Sequence, residues 1–213
     1  VLGGALVAGW VIFMSSVEQP RYTLIRSDGA FEIRDYPALV VAEVERRGGR
    51  DAAVRAGFRP LANYIFARER EGDGISMTAP VTQTPAGKIA MTAPVTQERA
   101  AAADPTEQRG ETVSWTVRFI MPSKYKLADL PRPAGTDVRL REISARRVAA
   151  VRFSGVATDT LLASKEAELR TWLAAQNLKA LGQPTFAYYN DPMTPGILRR
   201  NEVIITVAEA GRS

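Results

Sequence analysis

FEIRDYPALVVAEV, residues 31–44, and VRLREISARRVAAV, residues 138–151, are two passes of one pattern, and the fold is read from their agreement. At a constant offset Ile33 matches Leu140, Arg34 matches Arg141, Asp35 matches Glu142, Ala38 matches Ala145, Val41 matches Val148 and Val44 matches Val151. Apolar and polar residues alternate in both, the two-residue period of a half-buried strand. Upstream, Tyr22-Thr23-Leu24-Ile25 alternates in the same way and Asp28-Gly29 supplies turn chemistry, so a hairpin is expected to lead into the first copy. Downstream of each copy the period becomes helical. Residues 50–71 place Phe58, Leu61, Ala62, Ile65 and Phe66 at i, i+3, i+4, i+7 and i+8, with Asp51 as the expected N-cap. Pro60 cannot donate to the carbonyl of Ala56, so a kink or break is expected there, with the better helix running from Pro60 to about Arg70. The second helix is expected from Thr158 or Asp159 to Asn177, with Leu162, Leu169, Trp172 and Leu173 on one face and Asn177 as its left-handed cap. Two strand-strand-helix units whose sheets join predict an α+β fold: one pseudo-symmetric antiparallel barrel carrying two helices, with a ligand at the seam.

A tighter repeat lies between the helices. ISMTAPVTQ, residues 75–83, recurs as IAMTAPVTQ, residues 89–97, across the turn-forming Pro85-Ala86-Gly87-Lys88. The pair reads as a hairpin of near-identical strands with Met77 and Met91 in equivalent places. Residues 98–110, rich in Ala and charge, read as a surface loop before the strand at 113–121.

Composition removes several classes of chemistry. The 213 residues contain no Cys and no His, which excludes disulfides, thiolate nucleophiles, imidazole bases and His-ligated metals or haem. With 46% hydrophobic residues the chain supports one compact domain with an appendage. The charge of +5 is scattered, no basic run being longer than the Arg46-Arg47 or Arg199-Arg200 pair, and no nucleic-acid partner is expected. Residues 1–14, VLGGALVAGWVIFM, are uncharged and apolar all round. They are short for a full span and long for a signal-peptide core, and no clean cleavage site follows. Residues 1–17 are therefore expected to form a membrane anchor or signal segment and residues 18–213 the folded domain.

The sequence resembles the SOUL family of haem-binding proteins. The resemblance is carried by FEIRDYP at 31–37, GFRPLANYI at 57–65, KIAMTAPVTQ at 88–97, WTVRFIMPSKY at 115–125, LREISARRVAAVRFSG at 140–155 and YYNDPMTPGILRRNEVIITV at 188–207. It implies a distorted antiparallel β-barrel of two pseudo-repeats, related to bacterial effector-binding domains of the gyrase-inhibitor type. It also implies noncovalent binding of haem or another tetrapyrrole in an apolar groove beside the first helix. The doubled MTAPV segment and the missing His depart from the animal members. Ligation through a His is therefore closed to this chain, and haem would be held as a ligand by apolar contact, unless Met or Tyr ligates.

On that reading the candidate haem-binding residues are Phe58, Leu61, Ala62 and Ile65 on the first helix, Met77 and Met91 on the hairpin, and Met193 and Leu198 in the last loop. Arg55, Arg59, Lys88 or Arg199 would meet the propionates. Each has a plainer reading: the helical stripe as core, the methionines as gap filler, and Arg199-Arg200-Asn201-Glu202 as a brace of hydrogen bonds or an ion pair. Asp35 and Glu142, the carboxylates at matching positions, read as surface ion pairs rather than as a catalytic couple. The expected protein is thus a nonenzymatic haem or porphyrin carrier or buffer, membrane-anchored with its domain on the periplasmic or extracytoplasmic side. The alternative is a sensor of a nonhaem hydrophobic ligand, or an interaction module using the same groove.

Overall fold

The computed structural model describes residues 18–68, 73–75, 78–85, 113–135, 137–190 and 194–208. In chain order these form β1 (Thr23–Asp28), β2 (Phe31–Tyr36), β3 (Leu39–Arg47), α1 (Arg50–Ile65), β4 (Val81–Pro85), β5 (Ser114–Ile120), β6 (Arg139–Ile143), β7 (Arg146–Phe153), α2 (Asp159–Ala175), β8 (Ala180–Tyr188) and β9 (Asn201–Val207). The strands make one antiparallel sheet in the order β1-β2-β7-β9-β8-β4-β5-β3-β6. The β1–β2 turn falls where Asp28-Gly29 placed it, with Gly29 at φ +59° in a two-residue loop.

The barrel expectation is corrected: among the described residues hydrogen bonding stops at β1 and β6, and the sheet is open. The reason lies in these edges. Every residue of β1 is exposed, so that strand has little to bury by turning onto another edge, and β6 is mostly exposed and carries Arg139 and Arg141. The sheet still curls, for Tyr36 on β2 and Ile143 on β6, far apart in the ladder, line one crevice. Both helices lie on the same face of the sheet. Leu61, Tyr64 and Ile65 of α1 pack on Ala42, Val44, Val117 and Phe119. Leu162, Leu169 and Leu173 of α2 pack on Ile33, Ala149, Val151, Phe186, Val203 and Ile205. Direct pairing of Gln83 with Val117 on one side and Phe186 on the other makes the two cores parts of one layer.

α1 departs from expectation at three points. Its N-cap is Gly49, with no side-chain cap, and Asp51 instead pairs with Arg55 at 2.7 Å one turn on. Pro60 does not break it, because Arg46 Nε donates to the carbonyl of Ala56 at 3.3 Å, replacing the donor that proline lacks. The helix ends at Ile65, where Ala67 turns left-handed at φ +54° and the N–H of Ile75 reaches the Ile65 carbonyl at 2.6 Å. α2 matches its expectation: Thr158 Oγ1 accepts from the N–H of Leu161 at 3.2 Å, and Asn177 adopts φ +56°. Trp172 stacks on Phe31 with centroids 5.2 Å apart and donates to Asp28 at 2.8 Å.

The hairpin expected of the MTAPVTQ repeat is also corrected. β4 already has β5 along one edge and β8 along the other, so Val81, Thr82 and Gln83 have no free ladder for a third strand. The second copy, with residues 86–112, lies outside the described residues.

Gly57 marks the closest approach of α1 to the sheet, since a Cβ there would meet Val117 Cγ2 at 2.8 Å and Val44 Cγ2 at 3.1 Å. Gly57→Ala is accordingly expected to destabilise by about 1–3 kcal/mol through overpacking, outweighing the propensity gain of about 1 kcal/mol. Urea unfolding measures it, and unchanged or raised stability would mean that the helix lifts off the sheet without cost.

Candidate functional site

The residues expected to form the groove divide into two sets. Leu61 and Ile65 are almost fully buried beneath α1 and belong to the core. Phe58 is 40% exposed, with its ring edge-on to Phe119 at 5.2 Å, and Ala62 is half-buried. Phe66, 50% exposed in the turn after the helix, continues the line. The surface stripe of α1 is thus Phe58, Ala62 and Phe66, at i, i+4 and i+8, with exposed Arg55 and Arg59 beside it. Phe66 was absent from the expected set although its spacing announced it. Leu198 is 68% exposed in a 3-10 turn, Gly196–Leu198, that backs onto Gly155 and Val156 before α2, a setting distinct from the α1 stripe. Met77, Met91, Met193 and Lys88 lie outside the described residues.

The face opposite the helices carries chemistry that the sequence reading only partly anticipated. Alternation along β2 turns Glu32, Arg34 and Tyr36 away from the helices, and β9 turns Glu202 and Ile204 the same way. Arg34 and Glu202 are both wholly buried and form a two-pronged pair, Nη1 to Oε2 at 2.7 Å and Nη2 to Oε1 at 3.0 Å. Arg34 Nε reaches Glu32 at 2.6 Å, and its guanidinium lies 4.5 Å from the Tyr22 ring centroid. Glu202 also accepts from Arg200 at 2.7 Å and from the Tyr189 hydroxyl at 2.8 Å. Burial alone would raise the Glu202 carboxyl, but hydrogen bonds and charge from Arg34 and Arg200 hold it below the ordinary glutamate value. Burial, with Glu202 alongside, pushes the Tyr189 hydroxyl up. The brace expected from Arg199-Arg200-Asn201-Glu202 is present, with Asn201 donating to Gly155 O at 2.9 Å, but its main partner, Arg34, was not foreseen. Asp35 pairs with Arg147 through two bonds of 2.7 Å, which lower its carboxyl pKa. Glu142 stands at the far end of the ladder, on β6.

Beside this cluster the curled sheet encloses a crevice of about 50 Å³. Leu39, Val41, Ile120, Ile143 and Ile204 wall it, and Arg118, Arg146, Thr82 and Thr185 supply polar groups. Sites for drug-sized molecules run to about 300–1,000 Å³, so a macrocycle does not enter here. The crevice is therefore narrow and partly cationic. Among the described residues no helix is long and apolar enough to cross a membrane, and the expected anchor, residues 1–17, lies outside them.

The family model of the SOUL heme-binding protein matches residues 17–206. None of the curated proteins matches this sequence. Among solved structures, the EcmrR C-terminal domain superposes with a TM-score of 0.59 at 11% identity, over 89% of this chain and 99% of that one. A hydrolase from Listeria innocua gives 0.54 at 13% identity, over 86% and 94%. An uncharacterized protein from the same organism gives 0.53 at 12%, over 94% and 98%. At such identities the likeness is one of fold alone.

Proposed function

The chain belongs to the SOUL heme-binding protein family, and on that premise we propose that it binds haem or another tetrapyrrole noncovalently, as a carrier or buffer tethered to a membrane through residues 1–14. The domain would stand on the periplasmic or extracytoplasmic side. The observation that carries this reading is the solvent-facing stripe of Phe58, Ala62 and Phe66 with Arg55 and Arg59 at its margin. Phe58 and Phe66 are eight residues apart, about 12 Å along a helix, the scale of a flat macrocycle. Burying some hundreds of Å² at about 25 cal/mol per Å² leaves micromolar affinity after the cost of association, so no bond to iron is required. Arginine meets a propionate with a fork of matching shape.

We also read the fold as two pseudo-repeats. Outward from the β4–β8 junction the sheet runs β4-β5-β3-β6 on one side and β8-β9-β7-β2 on the other, an order that exchanges the first strands of the two units. This supports the kinship with effector-binding domains that the sequence motifs suggested.

Hemin added to the 213-residue chain is expected to give a saturable Soret shift with a dissociation constant of about 1–50 μM, the range that apolar burial sustains. A flat titration at 50 μM removes the tetrapyrrole reading. The stripe would serve a nonhaem apolar ligand or a partner peptide equally well in area, and native mass spectrometry of protein purified without added haem separates these by the mass that co-purifies.

A further inference from the structure

The crevice on the helix-free face has a feature unrelated to tetrapyrrole binding. Arg146 lines it, and its Nη1 is buried without a hydrogen-bond partner among the described residues. A buried guanidinium N–H left unpaired is costly, and such groups are ordinarily satisfied by an acceptor. Among the described residues Arg146 forms no ion pair, and the carboxylates of Glu43 and Glu202 are already engaged. Glu43 is taken by Arg118 at 2.7 Å and by Arg141 at 3.3 Å. Glu202 is taken by Arg34 and Arg200. Arg118 and Arg141 share one carboxylate, Glu43, and burial together with the charges of Arg118 and Arg141 lowers the pKa of Arg146. The neighbouring charges of Arg118 and Arg141 favour an anion entering from solvent.

The walls define which anion. Ile120, Ile143 and Ile204 present apolar surface beside the cation, and the volume of about 50 Å³ admits a carboxylate with a short, narrow tail but no ring system. We propose that this crevice is a binding site for small monocarboxylates, the carboxylate meeting the guanidinium of Arg146 and the alkyl tail lying against Ile120, Ile143 and Ile204. The site stands apart from the α1 stripe, so its occupancy does not depend on haem.

The test is titration of the 213-residue chain with sodium propionate and sodium butyrate, followed by thermal unfolding and by NMR. Both salts are expected to raise the midpoint saturably, with sodium chloride and ethylammonium chloride at matched ionic strength giving no shift. Intermolecular NOEs are expected from the propionate methyl to the methyls of Ile120, Ile143 and Ile204 in the unmodified protein. Arg146→Met is expected to weaken propionate by about tenfold or more, and Arg146→Lys by less, since an ammonium keeps the charge without the fork. Loss of the NOEs on addition of equimolar hemin, with hemin bound on the α1 stripe, would contradict the separateness of the sites. Absence of NOEs in the unmodified protein overturns the proposal whether or not the variants fold. An equal saturable shift with inorganic phosphate overturns the assignment to carboxylates.

Discussion

Arg34→Ala is expected to lower the stability of the domain by about 3–5 kcal/mol, the cost of removing the two-pronged partner of a buried carboxylate. Glu202 would retain Arg200 and Tyr189, but the two bonds at 2.7 and 3.0 Å that satisfy it from within the sheet would be lost. Glu32 and Tyr22 would lose the same guanidinium. Urea unfolding reads the change directly. The paired replacement Arg34→Met with Glu202→Leu is expected to recover much of the loss, because removing both charges removes the stranded one. If Arg34→Ala costs under 1 kcal/mol, Glu202 has found solvent or another donor and the cluster is not a closed unit. The same pair sets an acid dependence. The folded-state pKa of Glu202 lies below its unfolded value, so its contribution is fully present above the unfolded pKa of about 4.3 and is lost as pH falls through the folded one. Asp35, Asp137, Glu18 and Glu168 are shifted in the same direction, and stability is expected to fall on acidification below about pH 4. Glu202→Gln is expected to flatten that fall, measured as the unfolding midpoint between pH 2 and 7.

Leu61→Ala and Phe58→Ala are expected to separate the core side of α1 from the surface proposed to bind haem. Leu61 is fully buried against the β3 and β5 face, and truncating it is expected to cost about 2–5 kcal/mol. Hemin affinity of the remaining folded protein should be unchanged. Phe58 is 40% exposed and leans on Phe119 by one ring edge, so its truncation is expected to cost only about 1 kcal/mol in stability. On the proposed reading its effect falls on binding: losing roughly half of a buried phenylalanine contact is expected to weaken hemin by about tenfold. Chemical denaturation and Soret titration on the same two variants give opposite rankings if the stripe binds the ligand. The reverse ranking, or equal loss of affinity in both, would place the ligand elsewhere.

The strands and helices were legible because each rests on a local period. FEIRDY alternates, residues 158–177 carry a cap at each end, and Gly29 fixes its turn. What escaped depends on neighbours distant in sequence. Nothing near Pro60 announces that Arg46 would reach the orphaned carbonyl of Ala56, so a break was the reasonable expectation. Alternation shows that Arg34 faces away from Ile33, but a strand buried on both sides hides which face holds the charge. Only the return of β9 on β7, which flanks β2, brings Glu202 within reach. Closure of the sheet likewise turns on whether two edges meet, and neither edge encodes the other. On α1 the stripe from Phe58 to Phe66 was correctly seen as one face, but the waterline runs through it, with Leu61 and Ile65 below and Phe58 and Phe66 above.

The pairing of β2 with β7 and of β3 with β6 has a consequence for biosynthesis. β2 finds its partner in β7 and β3 finds one of its own in β6, contacts that span more than half the folded chain. A nascent polypeptide that has emerged only as far as β5 holds a β1–β2 ribbon with no ladder to join, and two-stranded ribbons are marginal in water. Such long loops must close before the ladder rewards them, so assembly is expected to be slow and largely post-translational. Cutting the gene between β5 and β6 would therefore be expected to yield two fragments that each lack a strand held by the other.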